Sequence, residues 1–282
     1  MHRVLLVLLA ASAAAYSLNR VPKRDGYACI PVPIDKLVAP GQRATMHVYD
    51  ASSIQAIRHA QAHANSTYGQ VVIDEDAMAE RRFALKEYGS RVRLVSVAPS
   101  THTDKFGGSS ASLMAQVIGV GVIQPQRVLE KMPFMTVECE VDDALLLPSE
   151  LPDDVDALHA ALSEAAARCE SLDAVCSFKG DLTRATEMEL TGGEREAWTS
   201  IAARVEQVLE YRACDDACEA ARLTLSALAA TEHLPGSWRF DAMKLAQDGD
   251  AAALLKVIGE ALDEEARRRL AQKALSDLSL NP

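Results

Sequence analysis

Aromatic residues make up only 5% of this 282-residue chain, and positive charge is in deficit, with 29 Lys and Arg against 40 Asp and Glu. The shortage of aromatics, beside abundant alanine, favours helix-rich packing over stacking surfaces. A net charge of -11 argues against a general nucleic-acid binder, whose affinity would come from clustered Lys and Arg neutralising phosphates. Cysteine is sparse as well. Six cysteines in a chain of this length do not make a disulfide scaffold. Cys139 alternates with Glu138 and Glu140 and is expected to face a sheet core. Cys169 and Cys176 share one helix face, and Cys214 and Cys218 another, as small buried hydrophobes.

Sequence signatures of chemistry are missing too. No Gly-x-x-x-x-Gly-Lys-Ser/Thr loop occurs to cradle nucleotide phosphates, and no Gly-x-Ser-x-Gly elbow to raise a nucleophile. Gly119-Val120-Gly121 and Gly107-Gly108 lack the strand-turn-helix context of a dinucleotide loop and read as structural turns. His59 and His63 stand four apart without the Glu of a His-Glu-x-x-His zinc motif, and read as a solvated helix face. Asp74-Glu75-Asp76 lacks the glycine and closing Glu of a calcium loop and reads as a polar loop after a strand. Cys214-x-x-x-Cys218 has no nearby pair to complete four zinc ligands. No catalytic residue, cofactor or metal is therefore expected.

Long apolar runs are absent beyond the first residues. There, Arg3 precedes Val4 to Ala10, and small residues follow up to Ala15. A basic start, a short apolar core and an Ala-x-Ala exit read as a signal peptide too short to span a bilayer comfortably. The basic stretch from Arg20 to Arg24 behind it resembles the second part of the bipartite leaders of secondary plastids. Residues 1–28 are thus expected to be a targeting leader into the secretory route, with a plastid favoured and a secreted or lumenal fate as the alternative. Asn65-Ser66-Thr67 is a glycosylation sequon, so Asn65 is a candidate glycan site on that route.

What remains, 49% hydrophobic and 24% charged, suffices for two compact units. Residues 29–147 read as a mainly β domain. Strands are expected at Val71 to Ile73, Arg91 to Val97, Leu113 to Val120 and Thr136 to Val141. A helix capped by Ser52 or Ser53 carries Ile54, Ile57, Ala60 and Ala64, and residues 99–112 read as a polar hairpin tip. Pro148 to Asp154 is a linker, and residues 148–282 read as a helical subdomain. Its helices start at Val155, run from Glu194 to Leu234 with a break near Asp215-Asp216, and then cover Ser237 to Gln247 and Asp250 to Leu278.

The order of signals in the first unit is distinctive: Ile30-Pro31-Val32-Pro33-Ile34, Leu37-Val38-Ala39-Pro40-Gly41-Gln42, Met46 to Asp50, Tyr88-Gly89, Gly119 to Ile123, and Pro133 to Val141. It resembles the amino-terminal domain of the Lon protease family, in a stand-alone form without ATPase or peptidase. The resemblance implies an α+β fold, a PUA-like β domain (twisted sheet or pseudo-barrel with one helix) followed by a helical bundle. It departs from the family at Asp50-Ala51-Ser52-Ser53, where Glu-Pro-Arg-Tyr is usual, and at Val122, where Arg is common.

The resemblance further implies a non-catalytic polypeptide-binding module, an adaptor or regulator in protein quality control. Its partners would be polypeptide clients or a protease or ligase. Met46, Val48, Tyr49, Phe134 and Met135 are the candidate contact residues, on the physical ground that strand edges and apolar grooves accept extended peptides. Two other classes compete. PUA-like domains also bind RNA, and Arg81, Arg82, Lys86, Arg91 and Arg93 form the best basic cluster, although Asp74, Glu75, Asp76, Glu80 and Glu87 offset it. The alanine-rich helices would equally suit a structural subunit that docks on a larger partner.

Overall fold

The computed structural model describes residues 26–63, 65–103, 108–141, 155–176, 201–211, 219–247 and 251–279. Nearly all of the expected leader, the linker, Trp198, Cys214, Cys218 and the expected break at Asp215-Asp216 lie outside these residues.

Six strands form one sheet: β1 (Tyr27–Val32), β2 (Arg43–Val48), β3 (Thr67–Ile73), β4 (Leu85–Thr103), β5 (Ser109–Glu130) and β6 (Met135–Val141). Their order is β2-β5-β4-β3-β1-β6, and β6 pairs with β5 again. The strands β5, β4, β3, β1 and β6 therefore close into a ring, and β2 hangs on β5 outside it. One strand serves both roles because β5 is 22 residues long. Its first half pairs with β2, from Leu113 against Val48 to Ile118 against Arg43. Its second half pairs with β6, from Ile123 against Val141 to Glu130 against Thr136. Register shifts at Arg91/Val92 and Leu94/Ser96 in β4 and at Pro125/Arg127 in β5 bend the long strands round the ring.

The helices are α1 (Ala51–His63), α2 (Glu75–Ala79), α3 (Val155–Cys176), α4 (Ile201–Tyr211), α5 (Glu219–Ala230), α6 (Ser237–Gln247) and α7 (Ala251–Ser279). The architecture is α+β, with one small and one medium helix between strands and the rest after them.

Local details differ from expectation for physical reasons. Asp50, not Ser52 or Ser53, caps α1: its carboxylate accepts from the Ser53 amide at 2.8 Å. Asp74 is likewise a cap rather than part of a loop, accepting from the Asp76 and Ala77 amides at the start of α2. Most of the expected polar tip is ladder, since β4 and β5 stay paired from Pro99 and Leu113 out to Thr103 and Ser109. Serine and threonine there satisfy the backbone pairing without adding an apolar face. β1, which Pro31 disguises, pairs in parallel with β3, an arrangement that a Pro-containing strand tolerates on one side.

β3 is buried along nearly its whole length. The Tyr68 hydroxyl donates to the Met46 sulfur at 3.2 Å, and burial raises its pKa. Gln70 accepts from the Val38 amide at 2.9 Å and donates to the same Met46 sulfur. These polar side chains are satisfied where an unpaired one would cost several times the gain of a typical bond.

One cluster of buried apolar side chains joins sheet and helices, running from Ile30, Val92 and Val120 to Leu228, Met243, Leu254 and Ile258. The segment Leu37 to Gln42 lies at this junction and is buried throughout. The Gly41 amide donates to the Gly119 carbonyl and the Gly119 amide to the Gln42 carbonyl, both at 2.9 Å. From the helical side, Arg204 donates to the Gly41 carbonyl at 3.0 Å, and Gln42 donates to the Leu228 carbonyl and the Thr231 hydroxyl. Gly41 holds a φ of +79°, a conformation that costs glycine nothing.

Candidate functional site

Ring closure leaves few strand edges open, because each ring strand has neighbours on both sides. β2 is the exception, with β5 as its one strand partner among the described residues. On β4, β3 stops at Arg93 and the Leu94 amide donates to the Ser66 carbonyl at 2.7 Å; beyond this, β5 is its one strand partner among the described residues. Between them β5 forms the middle of a three-stranded ribbon projecting from the ring.

The side chains of β2 alternate as a half-buried edge strand requires. Ala44, Met46 and Val48 turn toward the core, with Val48 buried and Met46 held by Tyr68 and Gln70. Thr45 and His47 turn outward, and Tyr49 just past the strand is 57% exposed. The Tyr49 ring stacks on His102 of β4, with centroids 4.3 Å apart and planes 14° from parallel. His47 meets both rings edge-on, at 6.0 Å from Tyr49 and 5.6 Å from His102. Its Nε2 lies 2.8 Å from the hydroxyl of buried Ser112 on β5. Three rings thus form a ledge beside the open edge, fixed at its base by Ser112.

The other candidate residues fall elsewhere. Phe134, half-buried before β6, packs against His59 at 4.9 Å, and His59 stacks on His63 at the same distance. Met135 is buried in a separate small cluster with Cys29, Val71, Ile123 and Val137. Met46 and Tyr49 are therefore neighbours on one edge, while Phe134 and Met135 belong to the β6 end. His47 and His102 are the members of the ledge that sequence reasoning did not place there. The signal for His47 was the outward alternation Thr45, His47, Tyr49. For His102 there was none, because only the register of the long hairpin brings it over β2.

Asn65 is exposed in the turn between α1 and β3, with a positive φ of 48° that asparagine tolerates well. Among the described residues no group of three or more His, Cys, Asp or Glu is placed to hold a metal ion. Among the same residues, no helix is long and apolar enough to cross a membrane. Glycine at 119 has a packing role: a β-carbon there would lie 2.2 Å from the Ala39 carbonyl oxygen.

The chain is similar to Lon amino-terminal domains. With the N-terminal domain of the Mycobacterium avium complex Lon protease it shares 16% identity over 84% of this chain and 97% of that one, at a TM-score of 0.44. With a Lon N-terminal domain protein from Xanthomonas campestris the identity is 17%, over 66% of this chain and 98% of that one, at a TM-score of 0.35. No protein-family model and no curated protein matches the sequence.

Proposed function

We propose that this chain is a non-catalytic polypeptide-binding module that captures extended segments along β2, as an adaptor or regulator in protein quality control. The observation that carries this reading is the outer edge of β2, which has no strand partner among the described residues, beside the Tyr49–His102 stack. An added strand there gains main-chain hydrogen bonds that are indifferent to sequence, and the ledge offers a flat partner for apolar or aromatic side chains at alternate positions. Low sequence selectivity follows from that division of labour. It is what a receptor for unfolded clients needs. The clients, or a protease or ligase acting on them, are the proposed partners.

The test is crosslinking and pulldown with the leader-free chain from its native extract. Enrichment of unfolded polypeptides or protease subunits supports the reading, and recovery of RNA alone contradicts it.

We further propose that residues 1–28 route the chain into the secretory pathway and on to a plastid. Fusion of this segment to a fluorescent reporter tests the route, and a uniformly cytosolic signal would refute it. Exposure of Asn65 leaves it open to a glycan in transit, which a glycosidase-sensitive mass shift would reveal.

A further inference from the structure

The backbone of β2 is held from one side, since β5 is its one strand partner among the described residues. Backbone attached in this way is prone to local opening. Two side chains make up for the missing neighbour. In mid-strand, the Met46 sulfur accepts from Tyr68 and Gln70 of β3. At the start stands Gln42, immediately before Arg43 and only 2% exposed.

Every polar atom of Gln42 has a partner. Its amide donates to the Ala39 carbonyl and its carbonyl accepts from the Gly119 amide, both at 2.9 Å. The side-chain oxygen accepts from the Ala39 amide at 3.1 Å. The side-chain nitrogen donates to the Leu228 carbonyl at 3.2 Å and to the Thr231 hydroxyl at 2.6 Å, which uses both of its hydrogens. Thr231 passes its own hydrogen to the same Leu228 carbonyl, also at 2.6 Å. Leu228 lies in α5, and Thr231 opens the short turn Thr231–His233 behind that helix. Gly41 rests on α5 as well, since a β-carbon there would stand 3.0 Å from that of Ala229. The helices therefore grip the chain at the point where β2 begins.

We propose that Gln42 is a positioning residue for client capture: it bolts the start of β2 to α5 and the following turn, and so keeps the strand's outer edge extended before a client arrives. The proposal rests on the reading of that edge as the client site. An edge already in order draws no binding energy for its own ordering. A strand that is extended only about a tenth of the time binds its client about tenfold more weakly.

The experiment compares the full chain with its variants Gln42→Met, Thr231→Val and Thr231→Ser. Amide hydrogen exchange is measured on each protein alone, and affinity for a reduced, alkylated polypeptide by fluorescence anisotropy. Gln42→Met and Thr231→Val are expected to speed exchange at residues 43–48, leave β1 and β3 at their original rates and weaken binding roughly tenfold. Thr231→Ser keeps the hydroxyl and should behave as the unaltered chain does. Should Gln42→Met fail to fold, the two Thr231 variants decide the matter. Exchange unchanged at 43–48, exchange faster by the same factor throughout, or serine behaving like valine would each overturn the proposal. Undiminished affinity beside a loosened β2 would overturn it too, while leaving the client reading in place. Failure of the unaltered chain to bind the polypeptide would overturn the client reading itself, and this proposal with it.

Discussion

Gly119 on β5 and Ala39 in the segment before β2 are in backbone contact, so close that a β-carbon at 119 would lie 2.2 Å from the Ala39 carbonyl oxygen and 2.6 Å from its carbon. The obstacle is main chain, which cannot swing aside like a side chain. Gly119→Ala is therefore expected to destabilise the fold by about 3 kcal/mol, the upper end of what overpacking costs. Urea unfolding of the two proteins checks this. An unchanged midpoint would show that the segment can move away freely.

Arg204 anchors the same segment from the helical side. Its side chain is fully buried, donating to the Gly41 carbonyl and at 2.6 Å to Glu232, which is 23% exposed. Removing one partner of such a pair strands the other. Arg204→Met should cost roughly 3–5 kcal/mol in unfolding free energy. Adding Glu232→Gln should recover part of the loss, which a double-mutant cycle would measure.

Acid sensitivity has an identifiable source in α7. Glu265 is buried, with a side chain 7% exposed, and accepts from Arg268 and Arg269. The Arg268 hydrogen bond first, and that of Arg269 with both their charges, holds its carboxyl below the ordinary value against the opposing effect of burial. A carboxylate depressed in the folded state contributes stability above its unfolded pKa, about 4.3, and loses it as pH falls through the lower folded value. Glu265→Gln should lower stability at pH 7 and flatten its decline below about pH 4.3. Unfolding midpoints across that range test it, and parallel curves for the two proteins would contradict it.

The ledge separates function from stability. Tyr49 is mostly exposed and its stacking partner is the single residue His102 on the projecting hairpin. Tyr49→Ala should weaken binding of an unfolded polypeptide about tenfold, or ~1.4 kcal/mol. Stability should change by no more than about 0.5 kcal/mol, as for surface substitutions generally. Binding by fluorescence anisotropy together with thermal melting separates the two.

How much of this was legible in the sequence depends on the range over which each feature is decided. The helix of Ile54, Ile57 and Ala60, the strand of Val137 and Cys139, and the α+β order follow from local periodicity, and the structure has them. The caps at Asp50 and Asp74 were within reach, since acids at those positions precede helical spacing. The role of Leu37 to Gln42 was not. That segment has no period of its own, and its conformation is set by Gly119, Gln70, Arg204 and Thr231, all distant in sequence. The open edge of β2 was hidden for the same reason. A strand's neighbours are a property of the whole sheet, and nothing between Arg43 and Val48 announces that β5 will be its single strand partner among the described residues.

The reading of this chain as a polypeptide receptor rests on that edge, and hydrogen exchange addresses it directly. The chain from residue 29 onward is compared alone and with a reduced, alkylated polypeptide that cannot fold. Slower exchange confined to residues 43–49 and the facing part of the long hairpin is the expected result. Unchanged exchange along β2 despite measurable binding, or protection restricted to the helices, would contradict it.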